Sequence, residues 1–394
     1  MATVENREVS SVASRGYGSI KVAAIVAAGA AFVVGNFSQY TGVWLTGALM
    51  DELHYSATSV GMLLTVEFFG VALAPFFLAY FLGRVQLDRV ALTGCVVAFT
   101  CHLLSVWSTS LVELALLRLL AGIGAGAVFA ASSVVVAAMA TPEKGYAQIQ
   151  AVFAGLGVAA LYGTGFLTSA LGYRGIFILL AIVTLVMLPL AVKLPTPAVI
   201  SVRRNRANER SWATALAVIL GMFLFNLCEG SSFVFLERLA SNLNLPQAQL
   251  SLVFGVGALV GIVGGVTAAF VHTRFGRRLP LAVGLVTNAI VVGMIYTTTD
   301  PHLFALLFLF VEFFWFFCLP FILGVAAYFD RSGGLAAQAS GAMLLGIAVG
   351  PLLGGLLADH YGLLAIGWLA ALSCFLALAA LLIALRGDKV RIQV

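Results

Sequence analysis

The chain has 394 residues, of which 62% are hydrophobic and 9% charged, and its mean hydropathy is +1.08. A soluble domain carries about 25% charged residues, so a water-soluble fold is excluded. The formal charge of +5 comes with no basic stripe or aromatic reading surface for a nucleic acid, and apolar stretches such as LLFLFVEFFWFFCLPFILGVAA lack the alternation of an outer-membrane barrel. What remains is an all-α membrane protein.

The first 20 residues are polar and mixed in charge, a cytoplasmic tail. The apolar run that follows exceeds the roughly 7 to 15 residues of a signal h-region and reads as a retained first helix. Apolar runs between clusters of charge, Gly, Pro and Asn predict helices over 21–49, 58–82, 90–109, 111–139, 146–171 and 175–194. The segment 195–211, with four arginines against one glutamate, is a cytoplasmic linker. The pattern resumes over 212–239, 248–271, 279–299, 303–328, 336–358 and 363–385, and residues 386–394 form a second tail. The expected architecture is therefore twelve transmembrane helices in two six-helix bundles, 21–194 and 212–385.

Orientation follows from Lys and Arg, which favour the cytoplasmic face. On this topology only Arg174 and Arg238 of the 21 basic residues fall on the outer side, and Arg118 lies within a helix. Both termini are then cytoplasmic and the membrane is the inner (plasma) membrane. An offset of 190 residues lays Asn36 and Gln39 on Asn226 and Glu229, Gly94 on Gly284, and Gly165 on Gly355, which makes the two bundles pseudo-symmetric repeats. The five cysteines all sit in apolar stretches and read as packing residues rather than a disulfide framework.

The fourth helix carries RLLAGIGAG, with Arg118, Gly122 and Gly126 four residues apart on one face, where a neighbouring backbone can approach closely. The loop after the eighth helix reads HTRFGRR, and GPLLGG lies in the eleventh. On these features, with twelve helices and a central loop, the chain resembles the major facilitator superfamily over its whole length. HTRFGRR is similar to that family's gating loop, with Arg274, Gly276, Arg277 and Arg278 matching and Thr273 in place of the acid. In the first half Gly83, Asp88 and Arg89 survive, with the glycine one residue too far from the acid. GPLLGG looks like the Gly-Pro motif that the family's antiporters carry in the fifth helix, which here lacks the proline.

Three acids, Glu67, Glu229 and Glu312, lie deep inside predicted helices. Glu67 in VEFFGVALAPFFL and Glu312 in VEFFWFFCLPFIL share the preceding Val, two following Phe and a proline eight residues on. Each follows its helix start by nine residues, which at 1.5 Å per residue is about 14 Å, near mid-membrane. A carboxylate at that depth is either paired with a cation or exchanges a proton, so Glu312, Glu67 and Glu229 are the candidate proton carriers. Arg118 either meets a solute or is satisfied inside the protein by carbonyls, by Glu113 or by Glu67. The resemblance implies that helices one, four, seven and ten line a central pathway, so Arg118, Asn36, Gln39, Tyr40, Asn226 and Trp315 are candidate substrate contacts.

Function is thus expected to be secondary active transport of a small amphipathic organic solute by alternating access, coupled to protons and anionic if Arg118 is free to meet it. The alternatives are an uncoupled facilitator and a non-transporting sensor or scaffold. No convergent catalytic set or Walker sequence points to an enzyme, no cofactor is implied, and the histidines show no metal-ligand spacing. The expected partners are the solute, protons and the lipid bilayer, and the resemblance implies a monomer.

Overall fold

The computed structural model describes residues 2–81, 85–137, 142–195, 212–275, 277–329 and 334–386, and among these it is helical with no strand. The helices are α1 (Ala2–Glu52), α2 (Ala57–Phe81), α3 (Leu87–Ser105), α4 (Leu111–Ala137), α5 (Pro142–Ala191), α6 (Trp212–Ser232), α7 (Leu236–Asn242), α8 (Gln247–Phe275), α9 (Arg278–Thr297), α10 (Pro301–Phe329), α11 (Gly334–Tyr361) and α12 (Leu364–Arg386). Among the described residues, 11 stretches are long and apolar enough to cross a membrane. Of the expected linker over 195–211, all but Pro195 lies outside the described residues, as do 387–394.

Helix ends follow local chemistry. Ser56 accepts from the Ser59 amide at 3.1 Å and opens α2, and Asp300 accepts from the His302 amide at 2.8 Å ahead of Pro301. Gly362, at φ 81°, closes α11 in the left-handed conformation that suits glycine.

Two boundaries differ from the sequence expectation, and one falls where it is expected. Helix α1 begins at Ala2, although its apolar span begins at Ala23, because hydropathy marks the membrane portion and not the helix. The expected break between the fifth and sixth helices is present inside α5, at Gly172, whose φ 62° and ψ −151° are not helical. The Glu52 carboxylate accepts the Tyr173 amide at 2.9 Å and so caps the second part of α5. The seventh expected helix divides into α6, a 3₁₀ turn at Phe233–Phe235, and α7. Where it divides, the Tyr296 hydroxyl donates to the Ser232 carbonyl at 2.6 Å and draws that acceptor out of the helical ladder.

Helices α1 to α5 pack among themselves, as do α6 to α12, and the two sets meet where α2 packs on α11 and α5 on α8. Several of these contacts gather at one end. Asp359 of α11 accepts the Ala57 and Thr58 amides of α2, at 3.1 and 2.8 Å. Gly61 lies against the Pro351 carbonyl and Gly355 against that of Ala57, so the α2 and α11 backbones touch. Arg238 of α7 pairs with Asp51 of α1.

Glycine also sets the approach of α4 to its neighbours. A Cβ on Gly122 would strike the Glu67 carbonyl of α2, one on Gly126 the Val71 backbone, and one on Gly124 the Gly94 carbonyl of α3. We therefore expect Gly122→Val to lower the thermal midpoint of the detergent-purified protein by the equivalent of about 1–3 kcal/mol of overpacking. Gly163→Ala, where nothing lies within 4 Å, is the control and should melt as wild type. An unchanged midpoint for Gly122→Val would contradict the seam.

Candidate functional site

The intramembrane charges fall into two separate groups. The first is built on Arg118 of α4, only 1% exposed. Its Nη1 donates to Glu67 Oε1 of α2 at 3.4 Å and lies 3.1 Å from His102 Nδ1 of α3. Its Nη2 donates to Ser105 Oγ at 2.8 Å and to the Cys101 carbonyl at 3.5 Å, and the guanidinium lies over the Phe177 ring of α5 at 4.7 Å. An arginine only donates, so His102 Nδ1 is an acceptor here and its ring proton sits on Nε2. The group draws donors, acceptors and a π face from α2, α3, α4 and α5. Glu113, an alternative partner read from the sequence, instead accepts the Ser108 hydroxyl at 2.8 Å.

The second group joins the two helix sets. Glu229 of α6 and Glu312 of α10 lie within electrostatic reach of one another, and the charges of both act on Tyr40 of α1. Glu312 is 8% exposed, and among the described residues neither acid has a hydrogen bond or ion pair. Gly257 of α8 makes room chiefly for the Phe308 ring, which a Cβ there would strike, and lies beside Glu312, whose Cγ would stand 3.2 Å away. Gly157 of α5 makes room for Tyr40, whose ring packs on Phe153 with centroids 4.8 Å apart.

The remaining candidates lie on the same helices, α1, α6 and α10. Asn36 donates to the Phe32 carbonyl at 2.9 Å and accepts from Gln39 at 3.4 Å. Asn226 donates to the Met222 carbonyl at 2.9 Å, leaving its buried Oδ1 without a donor. Trp315 Nε1 is likewise buried with no acceptor. Much of the aromatic run after Glu312 is spent on packing: Phe316 fills the space over Gly261 of α8, and Phe317 that over Gly284 of α9.

The gating-loop residues are dispersed. Asp88 lies in the first turn of α3, where a negative charge meets the positive end of the helix dipole, and Arg89 follows it, exposed. Arg277 stacks on Tyr328 of α10 at 4.7 Å, and Arg278 donates to the Leu385 carbonyl of α12. Gly83, Gly276 and the side chain of Arg274 lie outside what is described.

Sequence reasoning passed over His102 and Ser105 as partners of Arg118, and Gly157 and Gly257 as spacers. Burial depth hinted at the first two; nothing local distinguishes these two glycines from the other 39. A cleft of about 360 Å³, with Ala48, Asp51, Glu52 and Glu237 in its walls, opens at the end where α2 meets α11. Ala48 stands about 12 Å along α1 from Tyr40, so this cleft is distinct from the acid pair. Among the described residues no group of three or more His, Cys, Asp or Glu could hold a metal.

A sequence profile described as Major Facilitator Superfamily matches residues 26–343. Several solved structures share the fold. A bacterial homologue of the human lysosomal transporter Spinster, in an inward-facing and occupied conformation, superposes with a TM-score of 0.74 at 14% identity, over 94% of this chain and 97% of that one. A D-xylose–proton symporter gives 0.71 at 17% identity, over 91% and 96%. The nucleoside transporter NupG gives 0.69 at 15% identity, over 91% and 98%. No curated protein matches by sequence.

Removing one partner from a buried ion pair typically costs about 3–5 kcal/mol, because the other charge is left uncompensated. Arg118→Leu should accordingly reduce the yield of monodisperse protein and its melting temperature, and Arg118→Leu combined with Glu67→Leu should recover part of both. A stable Arg118→Leu protein that has lost only solute binding would instead make Arg118 a solute contact.

Proposed function

The chain belongs to the major facilitator superfamily, and we propose that it is a proton-coupled secondary transporter, moving a small amphipathic organic solute by alternating access. The reading of coupling rests on the two acids without partners among the described residues, Glu229 and Glu312, whose charges reach one another and Tyr40 of the other helix set.

On this reading α5 crosses the membrane twice. The 37 residues of Gly155–Ala191 would extend about 55 Å as one straight helix, against an apolar core about 30 Å thick, and Gly172 supplies the turn. Residues 21–194 and 212–385 are then two six-helix bundles joined by the cytoplasmic linker, with both termini on the cytoplasmic side of the inner membrane. The 190-residue offset places α2 on α8 and the first part of α5 on α11. It therefore exchanges the α2–α11 contact with the α8–α5 contact, which is what a two-fold relation between bundles requires.

With the Lys and Arg distribution setting the sides, the end where Asp359, Arg238 and the glycine contacts join the two helix sets faces outward, which favours an inward-facing arrangement. Likeness to the inward-facing Spinster homologue supports the same reading.

Two negative charges close together in a low-dielectric interior repel, so a proton taken up by Glu312 or Glu229 relieves repulsion across α6 and α10 and biases one bundle arrangement over the other. Glu67 is assigned to holding Arg118 rather than to carrying the proton. Asn36, Gln39, Asn226 and Trp315 contribute polar contacts near the solute, and Asp88, Arg89 and the Arg274–Arg278 loop belong to the cytoplasmic ends that part and close.

In proteoliposomes loaded with a pH-sensitive dye, a solute that stabilises the purified protein against heat should move together with protons. Glu312→Gln should reduce gradient-driven accumulation by about tenfold or more while solute exchange at equilibrium persists, the pattern expected when coupling and not binding is lost. Solute movement without any pH change would identify an uncoupled facilitator, and undiminished accumulation in the variant would remove Glu312 from the mechanism.

A further inference from the structure

The charge balance around the acid pair goes further than its coupling role. Apart from Arg118, the parts of α1, α6, α8 and α10 that bring the pair together hold no compensating cation: Ala23–Glu52, Trp212–Ser232, Gln247–Val271 and Pro301–Ala326 contain neither Lys nor Arg. Arg118 itself is sealed on the other group by Glu67, Ser105 and the Phe177 face. The remaining titratable groups in electrostatic reach of Glu229 and Glu312 are Tyr40 of α1, Cys228 of α6, Tyr296 of α9 and Cys374 of α12, and none of them can carry a positive charge.

Two further features point to a ligand. Glu312 is more than nine-tenths buried and, among the described residues, has no partner. On α6, three residues from Glu229 and on the same side of the helix, the wholly buried Asn226 keeps an acceptor, Oδ1, without a donor. Carboxylates and an unfilled carbonyl acceptor make a site that receives hydrogen bonds and positive charge. The half-buried Tyr40 ring, packed against Phe153 with centroids 4.8 Å apart, offers a π face to the same ligand.

We propose that the transported solute is an amphipathic organic cation, an ammonium on an apolar body, whose charge seats between Glu229 and Glu312. The inference rests on the carrier reading and replaces the anionic alternative, which needed a free Arg118. It also gives coupling a direct origin. A cation between the two carboxylates does electrostatically what a proton on one of them does, so the two ligands compete, and the carrier exchanges one for the other.

The test uses a matched trio, phenylbutylamine, phenylbutanol and phenylbutanoate, with binding to the purified full-length protein measured by calorimetry. The amine should bind at least about tenfold more tightly than the alcohol, and the carboxylate more weakly than either. Glu229→Gln combined with Glu312→Gln should bring amine and alcohol to within about twofold of each other. A readout on the unaltered protein stands beside the variant: affinity for phenylbutyl-trimethylammonium, whose charge does not titrate, should fall at least about threefold between about pH 8 and about pH 6 as protons displace it.

Equal or tighter binding of the carboxylate or the alcohol, absence of binding by all three, a preference that survives in a folded double variant, or a pH-independent affinity would overturn the proposal. Counterflow in vesicles separates this failure from failure of the carrier reading. Carriage of phenylbutanoate would leave a carrier without a cation site, and tight amine binding with no movement would leave a cation site without a carrier.

Discussion

A single arginine inside the membrane has to be neutralised, and the way this chain does so determines what the other buried charges can do. Lipid supplies no hydrogen bonds, so Arg118 gathers Glu67, His102, Ser105 and a backbone carbonyl from neighbouring helices and lies against an aromatic face. That arrangement takes up Glu67 and leaves Arg118 no charge to offer elsewhere. Glu229 and Glu312 are left uncompensated where the two helix sets meet. A carboxylate left unpaired at this depth is costly, which makes these two the functional candidates. The inert and the active electrostatics of this protein are complementary results of one pairing.

Much of the fold was legible because membrane helices are punctuated by chemistry. Charges, prolines and glycines bracket α2, α4, α8, α9, α10 and α12 within a few residues of where the helices lie. The break inside α5 was legible at Gly172, between the expected fifth and sixth helices, but the Glu52 carboxylate that reaches it from α1 was not. The division of the seventh expected helix was hidden for a similar reason: it depends on the hydroxyl of Tyr296, a residue distant in sequence.

The candidate site was legible by depth and not by neighbourhood. Glu67 and Glu312 have nearly identical local sequences, and counting residues from the helix start puts them at the same level. Their surroundings are opposite, because α2 lies against an arginine and α10 against a glycine of α8. Helical periodicity tells which residues share a face; it does not tell what stands across from that face. Arg118 shows the same limit, since its motif announced a buried arginine and close glycine packing but not which acid would be taken up by it.

The two amide bonds from α2 to Asp359 bear on motion in a way that apolar contacts do not. Greasy surfaces can slide apart with little change in their polar accounts, but a carboxylate lifted off a helix N-terminus strands both partners unless solvent replaces each bond as it breaks. Asp359 is exposed, so solvent is at hand to take over each bond in any separation of α2 from α11. The rate at which this end opens should then be sensitive to water activity and to how tightly the surrounding headgroups hold their own water, as well as to ligands in the middle of the membrane.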